Sequence, residues 1–173
     1  MTEDNARVNE EIDPEQARTR NLDPFWEAIV SVTIVLVIAI VVNQMFGLGF
    51  FVNYVLIQSS FLYLVVGLMF STVFVAFPAY KSENRDNVPF YDVILYLVSL
   101  GLTVYFVWNS EDILIEAWEF TAPPIGQAVA FLSWALILEA TRRTGGMIVF
   151  WLVVVLSTLP LYAGFLPHAI AGV

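Results

Sequence analysis

The sequence contains no cysteine, a single histidine and few charged residues. Without cysteine, disulfide bonds, thiolate catalysis and Cys-based metal sites are excluded. Charged residues make up 13% of the chain, whereas an ordinary soluble domain has about 25%. The 173 residues are 59% hydrophobic, a composition that indicates an integral membrane protein. The formal charge of −9 argues against nucleic acid as a partner, because nucleic acid attracts basic surfaces.

Long apolar stretches dominate the chain after its polar, acidic N-terminal tail, and each is long enough to cross a hydrocarbon core of about 30 Å. They predict an all-α membrane protein with five transmembrane helices, at residues of about 25–46, 54–77, 90–108, 125–141 and 147–165. The predicted domains are an acidic tail at 1–24, which we expect to be cytoplasmic, and a membrane domain at 25–173.

Ionisable side chains are missing from the centres of all five predicted spans. Proton relays, ion sites and voltage sensors depend on such groups. We therefore predict no catalytic, substrate-binding, ion-binding or metal-binding residues in this chain. The sequence has no metal-ligand cluster and no Ser/His/Asp set, and His168 is predicted to be an exposed residue near the C-terminus, so we expect that the protein is not an enzyme.

The basic residues all fall on one side of a five-span arrangement. Cytoplasmic connections collect Lys and Arg, so this distribution predicts a cytoplasmic N-terminus and an external C-terminus. The basic residues are Arg7, Arg18 and Arg20 in the tail, Lys81 and Arg85 after the second span, and Arg142 and Arg143 after the fourth.

The run Arg142-Arg143-Thr144-Gly145-Gly146 predicts a tight turn that makes the fourth and fifth helices antiparallel neighbours. Glu139 precedes Arg142 by three residues and Arg143 by four, so the three side chains share one helix face. This ion cluster either pins the end of the helix or contacts another subunit or anionic lipid headgroups.

Small residues spaced four apart predict places where helices approach closely, and they are candidates for a subunit or lipid interface. The two pairs are Gly67 with Ser71 and Gly126 with Ala130.

An acidic segment precedes the fourth span. If residues 111–120 form an external helix lying in the membrane interface, Asp112, Glu116 and Glu119 share one face and apolar residues line the other. The acidic face is either a solvated loop surface or a docking surface for an external protein.

One part of the sequence resembles a known transporter family. The run Glu139-Ala140-Thr141-Arg142-Arg143, which lies within residues 131–146 and is followed by an apolar helix with Pro160, is similar to the small-subunit region of TAXI-type tripartite ATP-independent periplasmic (TRAP) transporters. Phe77-Pro78-Ala79 and Pro89-Phe90-Tyr91-Asp92 are similar as well. The resemblance extends over about residues 60–170.

In this family of secondary transporters, a small membrane subunit joins a large subunit of about twelve spans, and a periplasmic substrate-binding protein delivers the solute. The resemblance implies a noncatalytic scaffold in a bacterial or archaeal inner membrane, which braces the large subunit and helps to dock the binding protein. It implies no cofactor for this chain, since the large subunit uses the sodium or proton gradient. The implied solutes are organic acids or amino acids.

The usual TAXI arrangement fuses both membrane parts in one polypeptide, whereas the present sequence ends at Val173, before the large part. A separate subunit, a processed product and a piece of a fused permease therefore remain open. The alternative function is a stand-alone small membrane protein that anchors or regulates another membrane complex.

Overall fold

The computed structural model of the chain describes residues 19–49, 56–80, 87–118 and 120–162. Within these ranges the chain contains no strand and forms five helices: α1 (Pro24–Phe46), α2 (Gln58–Ala76), α3 (Phe90–Trp108), α4 (Ser110–Ile115) and α5 (Pro124–Tyr162). All but α4 are long and apolar enough to cross a membrane. The predicted all-helical class is thus confirmed for these residues. Outside the described residues lie the first part of the tail, Glu119, residues 163–165 of the fifth predicted span and His168.

The ends of α1 follow from its terminal residues. Pro24 occupies the first turn, where its missing N–H removes no helical hydrogen bond. Gly47 follows the last residue with a φ of 58°, a left-handed conformation that glycine adopts without steric cost. The bounds of α1 and α3 therefore agree with the predicted first and third spans to within a residue or so.

The centre of the bundle is formed by α2, α3 and the first half of α5. Phe74 of α2 is fully buried, and it packs with Leu136 and Ala140 of α5. Helix α1 lies against α2, and its Trp26 meets Tyr96 of α3 edge to face. Large apolar side chains remain exposed on the outer surfaces of α1 and α5, as expected of helices that face lipid.

Helix α5 folds back on itself at Gly146, which has non-helical backbone angles (φ 76°, ψ −176°). The indole N–H of Trp134 donates to the hydroxyl of Ser157 over 3.1 Å. In a straight helix these residues, 23 apart in sequence, would be separated by about 35 Å. The two halves are therefore antiparallel, which confirms the predicted hairpin.

The turn itself is shorter than predicted. The helix continues through Arg142 and Gly145, and Gly146 alone leaves the helical conformation. The predicted five-residue turn over 142–146 was wrong in extent, because one residue without a Cβ provides the whole reversal.

The predicted helix over 111–120 is also shorter, since α4 ends at Ile115. Ala117 adopts a positive φ of 49°, and the N–H of Trp118 bonds to the carbonyl of Ile113. This is the hydrogen-bond pattern of a Schellman cap. Residues 116–118 therefore form a turn, and the predicted continuous helical stripe through Asp112 and Glu116 toward residue 119 is not formed.

Candidate functional site: an ion network at one end of the bundle

Four parts of the chain meet at one end of the bundle: the segment before α1, the end of α2, the start of α3 and the end of the first half of α5. Their charged side chains form a continuous set of contacts, which we call the ion network. Its members are Arg20, Asp92, Glu139, Arg142 and Arg143.

Asp92 lies at the centre of the ion network, in the first turn of α3, and its side chain is 0% exposed. One carboxylate oxygen accepts a hydrogen bond from Nη2 of Arg20 at 2.6 Å. The other accepts one from Nη1 of Arg143 at 2.7 Å. Both arginine side chains are buried as well. A buried carboxylate is stable only when it is paired and hydrogen-bonded, and each oxygen of Asp92 meets this condition.

Glu139 extends the network along α5. Its carboxylate accepts from Nε and Nη2 of Arg142 at 2.8 and 2.7 Å, which is a bidentate pair. The same carboxylate accepts from Nε of Arg143 at 2.8 Å. The pairing that the sequence spacing predicts is therefore present. Arg143 connects the two carboxylates and so joins α5 to α3.

The arginines also bind main-chain carbonyls at and just beyond the end of α2. The backbone N–H of Arg20 donates to Ala76 at 2.9 Å. Nη1 of Arg143 donates to Phe77 at 3.3 Å, and Nη1 of Arg142 donates to Ala79 at 3.1 Å. The last carbonyls of a helix have no partner within it, so Arg20 satisfies the final carbonyl of α2, while Arg142 and Arg143 hold the segment that follows the helix.

Helix dipoles favour the same arrangement. The C-terminal end of α2 carries a partial negative charge and attracts the guanidinium groups, whereas the N-terminal end of α3 carries a partial positive charge and attracts the Asp92 carboxylate. Two aromatic rings add cation–π contacts: Arg143 lies 5.3 Å from the ring centre of Phe74, and Arg142 lies 5.3 Å from that of Tyr80.

Sequence reasoning missed Arg20 and Asp92 as members of the network. Asp92 carried only a weak signal, because a carboxylate in the first turn of an apolar helix is favoured by the helix dipole even when it is solvated, as the exposed Glu27 in the first turn of α1 illustrates. Arg20 carried none, because its contact to Asp92 joins residues 72 positions apart. The interface role predicted for Glu139, Arg142 and Arg143 stays a prediction.

The small-residue pairs are placed differently from each other. A Cβ built on Gly67 would lie 2.2 Å from the hydroxyl oxygen of Thr103 on α3, and Ser71 is fully buried. Gly67 therefore lies against the chain's own α3, and Ser71 is buried within the chain. Gly126 faces the ring of Trp118 at 3.1 Å from its built Cβ, and Ala130 is exposed. Their role at an interface with another subunit or with lipid stays a prediction.

The opposite end of the bundle has a different character. The buried hydroxyls of Ser60 and Ser110 bond to each other and tie the start of α2 to α4. Asp112 and Glu116 are exposed, and the Glu116 carboxylate accepts the indole N–H of Trp118 at 2.8 Å. The predicted docking residues Asp112 and Glu116 are thus accessible, while Glu119 lies outside the described residues.

The chemistry available to the ion network is electrostatic and structural. Three arginines against two carboxylates leave one net positive charge, and the donors serve carboxylates and carbonyls of the same chain. Among the residues that the structure describes, no group of three or more His, Cys, Asp or Glu side chains is arranged to hold a metal ion. The arrangement joins chain segments.

Comparison with known proteins gave no match for this chain, whether to a protein-family model, to a curated protein or to a solved structure.

Proposed function

We propose that this chain is the small, noncatalytic membrane subunit of a TAXI-type TRAP transporter, which stabilises the complex and transports nothing by itself. In this role it braces a large permease subunit of the inner membrane and helps to dock a periplasmic binding protein. The transported solute is an organic acid or an amino acid, and the large subunit binds the sodium or proton that drives transport.

The observation that carries this proposal is where the charged side chains of the chain lie and which groups they contact. Asp92 and Arg143 are buried in contacts with each other and with neighbouring segments of the same chain. A carrier of charged solutes needs ionisable groups near the centre of the membrane. In the described parts of α1, α2, α3 and α5, Asp, Glu, Lys and Arg occur only near the ends of the helices and near the bend at Gly146. This placement favours a rigid scaffold.

The proposed topology has five crossings. The candidate spanning part of α5 has 36 residues, and its two halves run antiparallel, so each half crosses the membrane once. The ion network lies at the cytoplasmic surface, where arginines are preferred. Asp112 and Glu116 then lie at the periplasmic surface, where the binding protein arrives.

Reconstitution tests the proposal directly. The purified chain, the large subunit that copurifies with it and the corresponding binding protein are placed in vesicles, and uptake of labelled glutamate and 2-oxoglutarate is measured under an imposed sodium or proton gradient. We expect saturable uptake only when all three proteins are present. Uptake by this chain alone would contradict the scaffold role.

A copurification arm separates the proposal from the alternative of a stand-alone anchor or regulator. The tagged chain, extracted from native membranes in mild detergent, should carry a polytopic partner of about twelve spans at equal stoichiometry. The topology is tested by single-cysteine variants in intact cells. Glu111→Cys should react with a membrane-impermeant thiol reagent, and Asn87→Cys should be protected.

A further inference from the structure

A groove of about 260 Å³ lies between α2, α3 and the first half of α5. Its walls are almost entirely apolar, and it is open on one side of the bundle. Residues that define its length and walls are Tyr63 and Phe70 on α2, Ser99 and Phe106 on α3, and Ser133 and Ile137 on α5.

The groove runs along the helices. On α3 its lining extends from Ser99 to Phe106, and on α2 from Tyr63 to Phe70. The two ends of each stretch are seven positions apart, which is about 10 Å at about 1.5 Å per residue. An occupant therefore lies parallel to the helix axes. The aromatic pair Tyr63 and Phe106, whose ring centres are 5.5 Å apart, marks the end of the groove farther from the ion network.

The serine and threonine hydroxyls that line the groove need no hydrogen-bond acceptor from an occupant. Ser99 donates to the carbonyls of Leu95 and Tyr96, and Thr103 donates to the carbonyl of Ser99 at 2.8 Å. Ser133 donates to the carbonyl of Val129 at 2.8 Å. Because each of these three hydroxyl donors is already satisfied within its own helix, the walls that Ser99, Thr103 and Ser133 contribute offer a mainly hydrocarbon surface.

We propose that this groove binds one acyl chain of a membrane phospholipid. An apolar cavity of about 150 Å³ holds benzene, so by proportion this groove has space for about ten carbon atoms. Its lining extends from the middle of the helices toward the end opposite the ion network, which is the outer side in the proposed topology. The inference rests on the proposed membrane insertion and is independent of the transporter assignment.

A phospholipid fits the groove better than a helix of another protein. Acyl chains run along the membrane normal, which is the direction of the groove, whereas side chains of a neighbouring helix project across it. Helix pairs in membranes associate through small residues and interhelical hydrogen bonds. The close approach available at Gly67 is already used by Thr103 of the same chain. The open side joins a surface of exposed apolar residues that includes Val66, so a lipid enters laterally.

Electron spin resonance of a phosphatidylcholine that carries a spin label on its acyl chain tests this proposal. The full chain is reconstituted in phosphatidylcholine vesicles, and the motionally restricted lipids per protein are counted. Two variants fill the groove, Ser133→Phe and Val66→Phe. The matched control is Ala135→Phe, because Ala135 is an exposed residue of the same helix that does not line the groove. We expect one restricted chain fewer in each groove variant, and no loss in the control.

The other outcomes overturn the assignment. Equal counts in the wild type and both groove variants would show that no acyl chain is held there. If the groove variants instead lose a dimer, measured by light scattering in detergent, a second copy is the occupant. If the wild type restricts no lipid at all, the proposed membrane insertion is wrong as well. Failure of the uptake or copurification experiments would contradict the transporter assignment and would leave the lipid count unaffected.

Discussion

The two ends of the helix bundle are held together by different chemistry. At the network end, buried charges join four parts of the chain through contacts such as that between Asp92 and Arg143. At the opposite end, a hydrogen bond between the Ser60 and Ser110 hydroxyls ties α2 to α4, and the carboxylates of Asp112 and Glu116 are exposed. The charged side chains at the network end therefore stabilise the chain itself, whereas the carboxylates at the opposite end remain accessible to a partner.

Removing the central carboxylate should have the largest effect. Asp92→Asn leaves the buried Arg20 without its charged partner and weakens the hold on Arg143, and breaking a buried pair in this way costs about 3–5 kcal/mol. We expect a large fall in the free energy of unfolding, measured by denaturant titration in detergent. The matched control is Asp112→Asn at the opposite end. If both variants unfold at the same denaturant concentration, the proposed difference between the two ends is incorrect.

A pair of glycine substitutions tests the packing that connects the two ends. In Gly67→Ala the new Cβ would lie 2.2 Å from Thr103, and overpacking of this kind costs about 1–3 kcal/mol. Gly101→Ala is the control, since a Cβ there meets no atom within 4 Å and alanine favours a helix by up to about 1 kcal/mol. Thermal unfolding should show destabilisation of the first variant only. Equal midpoints would mean that α2 and α3 lie farther apart.

Loss of the hydroxyl contact at the opposite end should have a smaller effect. Ser110 also donates to the carbonyl of Val107 at 2.9 Å, so Ser60→Ala removes one hydrogen bond and leaves the Ser110 donor satisfied. The expected cost is about 0.5–1.5 kcal/mol. A double-mutant cycle with Ser110→Ala measures the coupling, which should be positive and well below the effect of Asp92→Asn. Zero coupling would show that this contact does not hold α4.

Neutralising the acids at the end opposite the ion network should leave the free energy of unfolding almost unchanged. The triple variant Asp112→Asn, Glu116→Gln and Glu119→Gln alters the predicted docking surface, where solvated charges contribute little to folding. If the face attracts a binding protein, its association rate falls, and the rate depends less on salt because charges are screened within about 10 Å at about 0.1 M salt. Stopped-flow binding at two salt concentrations measures this. Association rates that match the wild type at low salt would identify a solvated loop.

The sequence predicts local features of the fold much better than its long-range contacts. Helix class, the start of α1 at Pro24 and the pairing of Glu139 with Arg143 depend on residues that are close in sequence, where composition and spacing carry the information. The early end of α4 was missed because Ala117 adopts a conformation that alanine rarely takes. The contact between Arg20 and Asp92 was missed because no periodicity connects a tail residue to a helix 72 positions later.

The long sequence separations within the ion network also have a consequence for synthesis in the cell. Chains grow at about 5–20 residues per second, so Arg20 leaves the ribosome about 4–14 s before Asp92, which is 72 residues later. Arg143 follows Asp92 after a further 51 residues. In the proposed topology, Arg20 stays hydrated at the membrane surface during this interval, where its charge favours a cytoplasmic N-terminus. If this topology is correct, the same guanidinium group acts first as a topology signal and later as the buried counter-ion of Asp92.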